Sequence, residues 1–131
     1  MKSNSLWLER GLIIGPYLAL VQSEKEFLQA MSDCGISASD AGSWQASSHA
    51  DATMHSLENT KGDLCCIVTL GPVAGRSGVE IAGILVHEAV HVWQKFRERI
   101  GEKSPSSEFE AYSIQVISQQ LMWAYTESLT K

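Results

Sequence analysis

The chain has 131 residues, of which 44% are hydrophobic and 19% are charged, and this balance predicts one globular domain over residues 1–131 and excludes a disordered chain. The net charge of −5 argues against nucleic acid as a partner, because binding phosphates requires a basic surface. The three cysteines, Cys34, Cys65 and Cys66, are odd in number and lack zinc-finger spacing. They indicate small core residues of a reduced, cytoplasmic protein.

The N-terminal half predicts three strands and one helix. Residues 12–16 are too short and too interrupted an apolar run for a signal peptide or a membrane span, so we expect no membrane association. A capping box formed by Ser23 and Glu26 opens the helix, which ends at Cys34 and Gly35. The predicted strands, in chain order, are residues 17–21, 52–58 and 64–70. They predict a small, largely antiparallel three-stranded sheet.

The C-terminal half predicts two long helices joined by a short turn. The first ends near Ile100 and Gly101, and the second opens with Ser104 or Ser106 as cap and Pro105 in its first turn. The core-facing stripe of the first helix comprises Ile81, Leu85, Ala89, Val92, Trp93 and Phe96. The expected fold is therefore α+β, with the sheet packed on an antiparallel hairpin of two long helices and one additional N-terminal helix.

The first long helix carries an H-E-x-x-H motif, His87-Glu88-Ala89-Val90-His91. At about 100° per residue, His87 and His91 point within about 40° of each other and can reach one metal ion. Glu88 is rotated by about 100° from His87, so it can accept a proton from a metal-bound water without binding the metal. We expect the histidines to lie in or beside a buried layer. The alternatives are two histidines hydrogen-bonded in the core with Glu88 at the surface, and a metal site without catalysis.

Glu110 is the predicted third ligand, because catalytic zinc usually keeps three protein ligands and one water. Glu108 competes with it, but the two lie about 200° apart around the second helix and cannot face one metal together. Glu110 continues into an inward stripe of Ile114, Ile117 and Leu121, which favours it. The alternative is that both glutamates are ordinary acids of a first helical turn.

His87-Glu88-x-x-His91 followed by Glu110 resembles the gluzincins, zinc peptidases with a glutamate as third ligand, and Glu108-x-Glu110-Ala111 resembles the ligand helix of ImmA/IrrE-type zincins. The chain also resembles, over nearly its whole length, a family of small phage and prophage proteins described as metallopeptidases. The segments that carry this second resemblance are residues 6–8, 11–17, 51–55, 87–94 and 105–115. The resemblance implies a zincin-like fold with Zn²⁺ bound by His87, His91 and Glu110.

The sequence departs from the gluzincin pattern at one position. Many gluzincins carry an acidic residue four positions after the third ligand, where it supports a zinc histidine, and here that residue is Ile114. Support is expected instead from Ser113 or a backbone carbonyl. The donor that stabilises the oxyanion is expected among His55, Tyr112 and Arg76, with His55 preferred.

These features predict a minimal zinc metallopeptidase in which Glu88 is the general base. The expected substrate is a protein or peptide in extended form, narrow in identity, because so small a domain leaves little room for a specificity pocket. The expected location is the cytoplasm of a bacterial host. Two alternatives stay open: a catalytically silent accessory or binding protein with the zincin fold, and a zinc amidase that acts on cell-wall peptide.

Overall fold

The computed structural model describes residues 6–8 and 15–130. Residues 11–14, which belong to one segment of the phage-family resemblance, lie outside the described residues. Three strands and three helices occur in the order β1 (Tyr17–Val21), α1 (Glu24–Asp33), β2 (Ala52–Glu58), β3 (Leu64–Leu70), α2 (Gly78–Arg99) and α3 (Ser107–Ser128). The chain divides into two compact units, Met1–Pro72 and Val73–Lys131.

The sheet of the first unit is mixed, with strand order β1-β3-β2. All three predicted strands are confirmed, and β3 is buried along its whole length because it is the central strand. β2 pairs with β3 antiparallel, from Ala52 opposite Leu70, but β1 pairs with β3 parallel, from Tyr17 opposite Cys65. The prediction of a largely antiparallel sheet is therefore wrong for one of the two pairings. The long connection through α1 and β2 is what allows the parallel pairing, since parallel neighbours need a crossover.

α1 begins where the capping pattern predicted. The Ser23 side chain accepts a hydrogen bond from the Glu26 N–H at 3.2 Å. The Glu26 carboxylate accepts from the Gln22 N–H at 2.8 Å, one residue before the position that a capping box requires. The helix buries one face in a core cluster of Val21, Phe27, Ala30, Met31 and Ile67.

The three cysteines are buried free thiols, as predicted. The sequence did not indicate that Cys34, at the end of α1, meets Cys65 on β3. Burial, the hydrogen bond with Cys65 and the nearby charges of Cys65 and Asp33, in that order of size, together raise the pKa of the Cys34 thiol to about 12. Both thiols line a cavity of about 280 Å³ together with Trp7, Tyr17, Asp33 and Asn59. A thiol with so high a pKa is unreactive near neutral pH.

The second unit contains α2 and α3, which pack against each other. A seven-residue connection, 100–106, joins them. α2 ends at Arg99 with Ile100 as its C-cap, and Gly101 follows at a φ of 73°. The positive φ explains the glycine, because other residues adopt this conformation at a steric cost. All six residues of the predicted stripe of α2 are buried, namely Ile81, Leu85, Ala89, Val92, Trp93 and Phe96.

The start of α3 differs in one detail from the prediction. Ser106 is the N-cap, and its side chain accepts from the Phe109 N–H at 3.2 Å. Pro105 therefore precedes the cap and does not lie in the first turn. Ile117 and Leu121 are buried, and Ile114 is partly buried, so the predicted inward stripe of α3 is present. Over residues 6–8 and 15–130, the helices are too short or too polar to cross a membrane.

Candidate metal centre

His87 and His91 lie one turn apart on an exposed face of α2. A complete capping box fixes the start of this helix: the Ser77 N–H donates to Glu80 at 2.9 Å, and the Glu80 N–H donates to the Ser77 hydroxyl at 3.1 Å. The two imidazoles converge, with their Nε2 atoms 3.3 Å apart and their ring centroids 4.9 Å apart. The histidines lie beside the buried stripe of α2 and not within it.

Glu88 is the buried member of the motif. Its side chain is 7% exposed, against 69% for His87, and its carboxylate Oε2 lies 3.9 Å from His87 Nε2. Removal from water raises the pKa of the Glu88 carboxyl, and the nearby charges of His87 and His91 lower it in part. This arrangement is the reverse of the alternative with histidines in the core and Glu88 at the surface. A carboxylate of raised pKa is better suited to accept a proton near neutral pH.

Gln94 contacts the second histidine of the motif. Its side-chain oxygen Oε1 lies 3.2 Å from His91 Nδ1, on the opposite side of the ring from the nitrogen that faces His87. This contact comes from a side chain of the same helix, whereas support for a zinc histidine was expected from Ser113 or a backbone carbonyl. The spacing i, i+3 could have suggested this contact, because such residues are neighbours on a helix surface.

Glu110 lies at a different part of α2. Its Oε2 accepts a hydrogen bond from the Trp93 indole N–H at 2.9 Å and lies 4.0 Å from Arg97 Nη1. On α2, the directions of Trp93 and Arg97 are at least about 120° from that of His91. The structure therefore brings His87, Glu88 and His91 together but places Glu110 with Trp93 and Arg97.

Arg97 connects this second group to the turn between the helices. Its Nε donates to the Glu102 carbonyl at 3.1 Å, and its Nη2 donates to the Lys103 carbonyl at 3.2 Å. Phe109 packs edge-on against Trp93, with ring centroids 5.3 Å apart. Trp93, Arg97, Phe109 and Glu110 thus hold the end of α2 to the start of α3, and we call these four residues the hairpin brace. The sequence alone did not indicate the brace, because its pairs join two helices.

The separation of the two histidines fits two ligands of a tetrahedral metal. Zinc–nitrogen bonds of about 2.0 to 2.1 Å place two tetrahedral ligand atoms about 3.3 to 3.4 Å apart. The two Nε2 atoms are 3.3 Å apart, so they can occupy one edge of such a tetrahedron. Within the described ranges 6–8 and 15–130, no group of three or more His, Cys, Asp or Glu side chains is close enough to hold a metal ion.

His55 lies on β2 in the first unit. Its Nε2 is 2.8 Å from the Trp44 carbonyl oxygen, and its ring packs against Phe27 with centroids 4.7 Å apart. These contacts give His55 a role in holding the 36–50 loop to β2. Of the other candidates for the oxyanion donor, Tyr112 is 62% exposed on α3.

Comparison of the chain with protein-family models found no match, and the comparisons with curated proteins and with solved structures also found none. The residues of α2 and α3 therefore carry the functional interpretation.

Proposed function

We propose that the protein is a zinc-dependent hydrolase of the metallopeptidase type. The observation that carries this proposal is the pair of Nε2 atoms 3.3 Å apart, with the buried carboxylate of Glu88 at 3.9 Å from one of them. His87 and His91 would hold the metal ion, and Glu110 is proposed as the third ligand. The zincin-like fold, a phage or prophage origin and action in the host cytoplasm are part of the same proposal and rest on the motif resemblance.

The reaction needs a base, an acid and a polarised carbonyl. A metal ion held at this position supplies the Lewis acidity that activates a water molecule and polarises the scissile carbonyl. Glu88 takes a proton from the attacking water and returns it to the leaving amine nitrogen. Its burial supports this role, because a desolvated carboxylate has a raised pKa and is a better base. An extended peptide is the proposed substrate.

Glu110 can be a ligand only if its carboxylate turns away from Trp93. In the structure, Oε2 is bonded to the Trp93 N–H and lies near Arg97. A catalytically silent metal-binding protein is therefore the second candidate, and this placement of Glu110 favours it. In that case Glu110 belongs to the hairpin brace alone, and the two histidines bind a metal weakly.

The test begins with metal content. Elemental analysis of the purified protein is expected to give about one zinc per chain, lost in His87→Ala and in Glu110→Ala if Glu110 is a ligand. Zinc retained in Glu110→Ala would assign Glu110 to the brace. No zinc in the native protein, even after zinc is added, would overturn the proposal.

Activity is tested separately. Glu88→Gln should keep its zinc and lose hydrolysis of a mixed peptide library, because the amide cannot act as a base. Glu98→Gln is the matched control, since Glu98 is a glutamate of the same helix whose side chain is 74% exposed and whose carboxylate lies 3.5 Å from Lys95 Nζ. Zinc binding without hydrolysis in the native protein, on peptides and on purified cell-wall peptide alike, would favour the silent candidate.

A further inference from the structure

We infer that Gln94 is a positioning residue, which fixes His91 in the tautomer that carries its proton on Nδ1 and leaves the Nε2 lone pair free. The inference deepens the proposed function, and its consequence for metal binding rests on that function. Its structural part, the tautomer of His91, stands on the contact between Gln94 and His91 alone.

The contact follows from the helix. Gln94 is three residues after His91 on α2, so both side chains leave the helix on the same exposed face. Gln94 Oε1 lies 3.2 Å from His91 Nδ1. With the Gln94 amide in this orientation, its carbonyl oxygen accepts the hydrogen bond and Nδ1 is the donor.

The tautomer then decides what the other ring nitrogen can do. A neutral imidazole carries one N–H, so a proton on Nδ1 leaves Nε2 with a free lone pair. That Nε2 is the atom that faces His87 Nε2 at 3.3 Å. Gln94 therefore prepares His91 to bind a metal at the point where the two imidazoles converge, and it keeps the ring from turning about its Cβ–Cγ bond.

The chemistry of the amide sets the strength of this support. Glutamine is neutral, so its hydrogen bond to the imidazole is weaker than that of a carboxylate. A carboxylate at the same position would hold the same tautomer more firmly and raise the basicity of Nε2. Gln94→Glu is thus expected to preserve or strengthen the effect, while Gln94→Ala removes it. A residue that acted only by filling space would not give this order.

The first measurement is made without metal. Nitrogen-15 NMR of the histidine side chains, with chelator present at about pH 8 where imidazoles are neutral, reports which nitrogen of His91 carries the proton. We expect the Nδ1–H form to predominate in the native protein and in Gln94→Glu. In Gln94→Ala we expect a shift to the Nε2–H form. Predominance of Nε2–H in the native protein, or an unchanged tautomer in Gln94→Ala, would overturn the inference.

The second measurement is the affinity for Zn²⁺, by competition with a chromophoric chelator. Gln94→Ala is expected to bind zinc about 10- to 100-fold more weakly than the native protein, the range for loss of a group that orients a ligand. Gln94→Glu should bind at least as tightly as the native protein, and Gln119→Ala, an exposed glutamine of α3, should be unchanged. Equal zinc affinities of the native protein and Gln94→Ala would overturn the metal-binding consequence.

The two measurements separate the two claims. If neither the native protein nor any variant binds zinc, the proposed function fails. The NMR spectra still decide whether Gln94 sets the tautomer of His91. If zinc binds and the tautomer does not depend on Gln94, the proposed function survives and the inference fails.

Discussion

α2 takes part in two polar regions, and the side chains of these regions differ in how they are bonded. In the hairpin brace, the Trp93 N–H, the Arg97 guanidinium and the Glu110 carboxylate bond to one another or to backbone carbonyls across the turn. Around the histidines, two imidazoles face each other and a buried carboxylate lies 3.9 Å from one of them. Polar groups that bond to one another stabilise a fold, whereas a desolvated carboxylate beside two converging imidazole nitrogens is typical of a functional site.

Removal of the central side chain of the brace should have the largest effect. Trp93 is 1% exposed, and Trp93→Ala deletes a large buried ring and leaves Glu110 without its donor. We expect the free energy of unfolding to fall by about 3 to 5 kcal/mol in urea titrations. Trp123→Ala, at a tryptophan that is 65% exposed on α3, is the control and should change it by about 0.5 kcal/mol or less. Equal effects of the two variants would mean that the brace does not hold the hairpin.

Arg97→Ala tests the polar part of the same brace. Arg97 donates to two carbonyls of the turn, but its side chain is 37% exposed and water can replace part of this bonding. The expected loss is about 1 to 2 kcal/mol, measured as a lower midpoint of thermal unfolding. Lys95→Ala, which removes a cation whose side chain is 42% exposed on the same helix, should cost less than half as much.

Glu88→Gln should change stability in the opposite direction. The charged carboxylate is buried, and its amide analogue avoids the cost of removing a charge from water. With chelator present at pH 7, we expect a gain of about 1 kcal/mol, the size of an ordinary single substitution. Destabilisation by Glu88→Gln would show that the carboxylate has partners as complete as those of the brace.

The effect of Glu88→Gln should depend on pH. Because the folded-state pKa of Glu88 is raised above its usual 4.5, the folded protein holds this proton more tightly than the unfolded chain. Glu88 therefore contributes a loss of stability to the native protein as the pH rises above about 4.5, and the variant lacks this contribution. The difference between the two should vanish in acid, where Glu88 is protonated in both states. Urea titrations at pH values from 4 to 8 measure it.

The smallest effect on stability is expected at the histidines. His87 is 69% exposed, so His87→Ala should change the free energy of unfolding by about 0.5 kcal/mol or less. The same variant should lose zinc, which isothermal titration calorimetry measures directly. A large loss of stability in His87→Ala would show that His87 has a structural role. Zinc binding retained in His87→Ala would show that His87 is not a metal ligand.

Local structure could be predicted from the sequence because its causes lie within a few residues of each other. β1, β2 and β3 occur where alternation and apolar runs predicted them. The caps at Ser23 and Ser106 can be predicted because each serine hydroxyl accepts from the N–H three residues later, which has no partner within the helix. The H-E-x-x-H spacing likewise predicts that His87 and His91 share a direction, since that depends only on helix geometry.

Relations between distant segments could not be predicted in the same way. The parallel pairing of β1 with β3 depends on the path of the chain through α1 and β2, and no residue of β1 encodes it. The sequence predicts the direction in which Glu110 points from α3. Its partners depend on which residues of α2 lie beside it, and these are Trp93 and Arg97.

The sequence by itself therefore determined the helices, the strands and the convergence of the two histidines on one face of α2. Only the tertiary structure decided that Glu88 is buried while His87 and His91 are exposed, and that Glu110 contacts Trp93 and Arg97. The physical reason is that periodicity fixes the direction of a side chain from its own helix. The neighbours that bury it, solvate it or bond to it come from chain segments far away in the sequence.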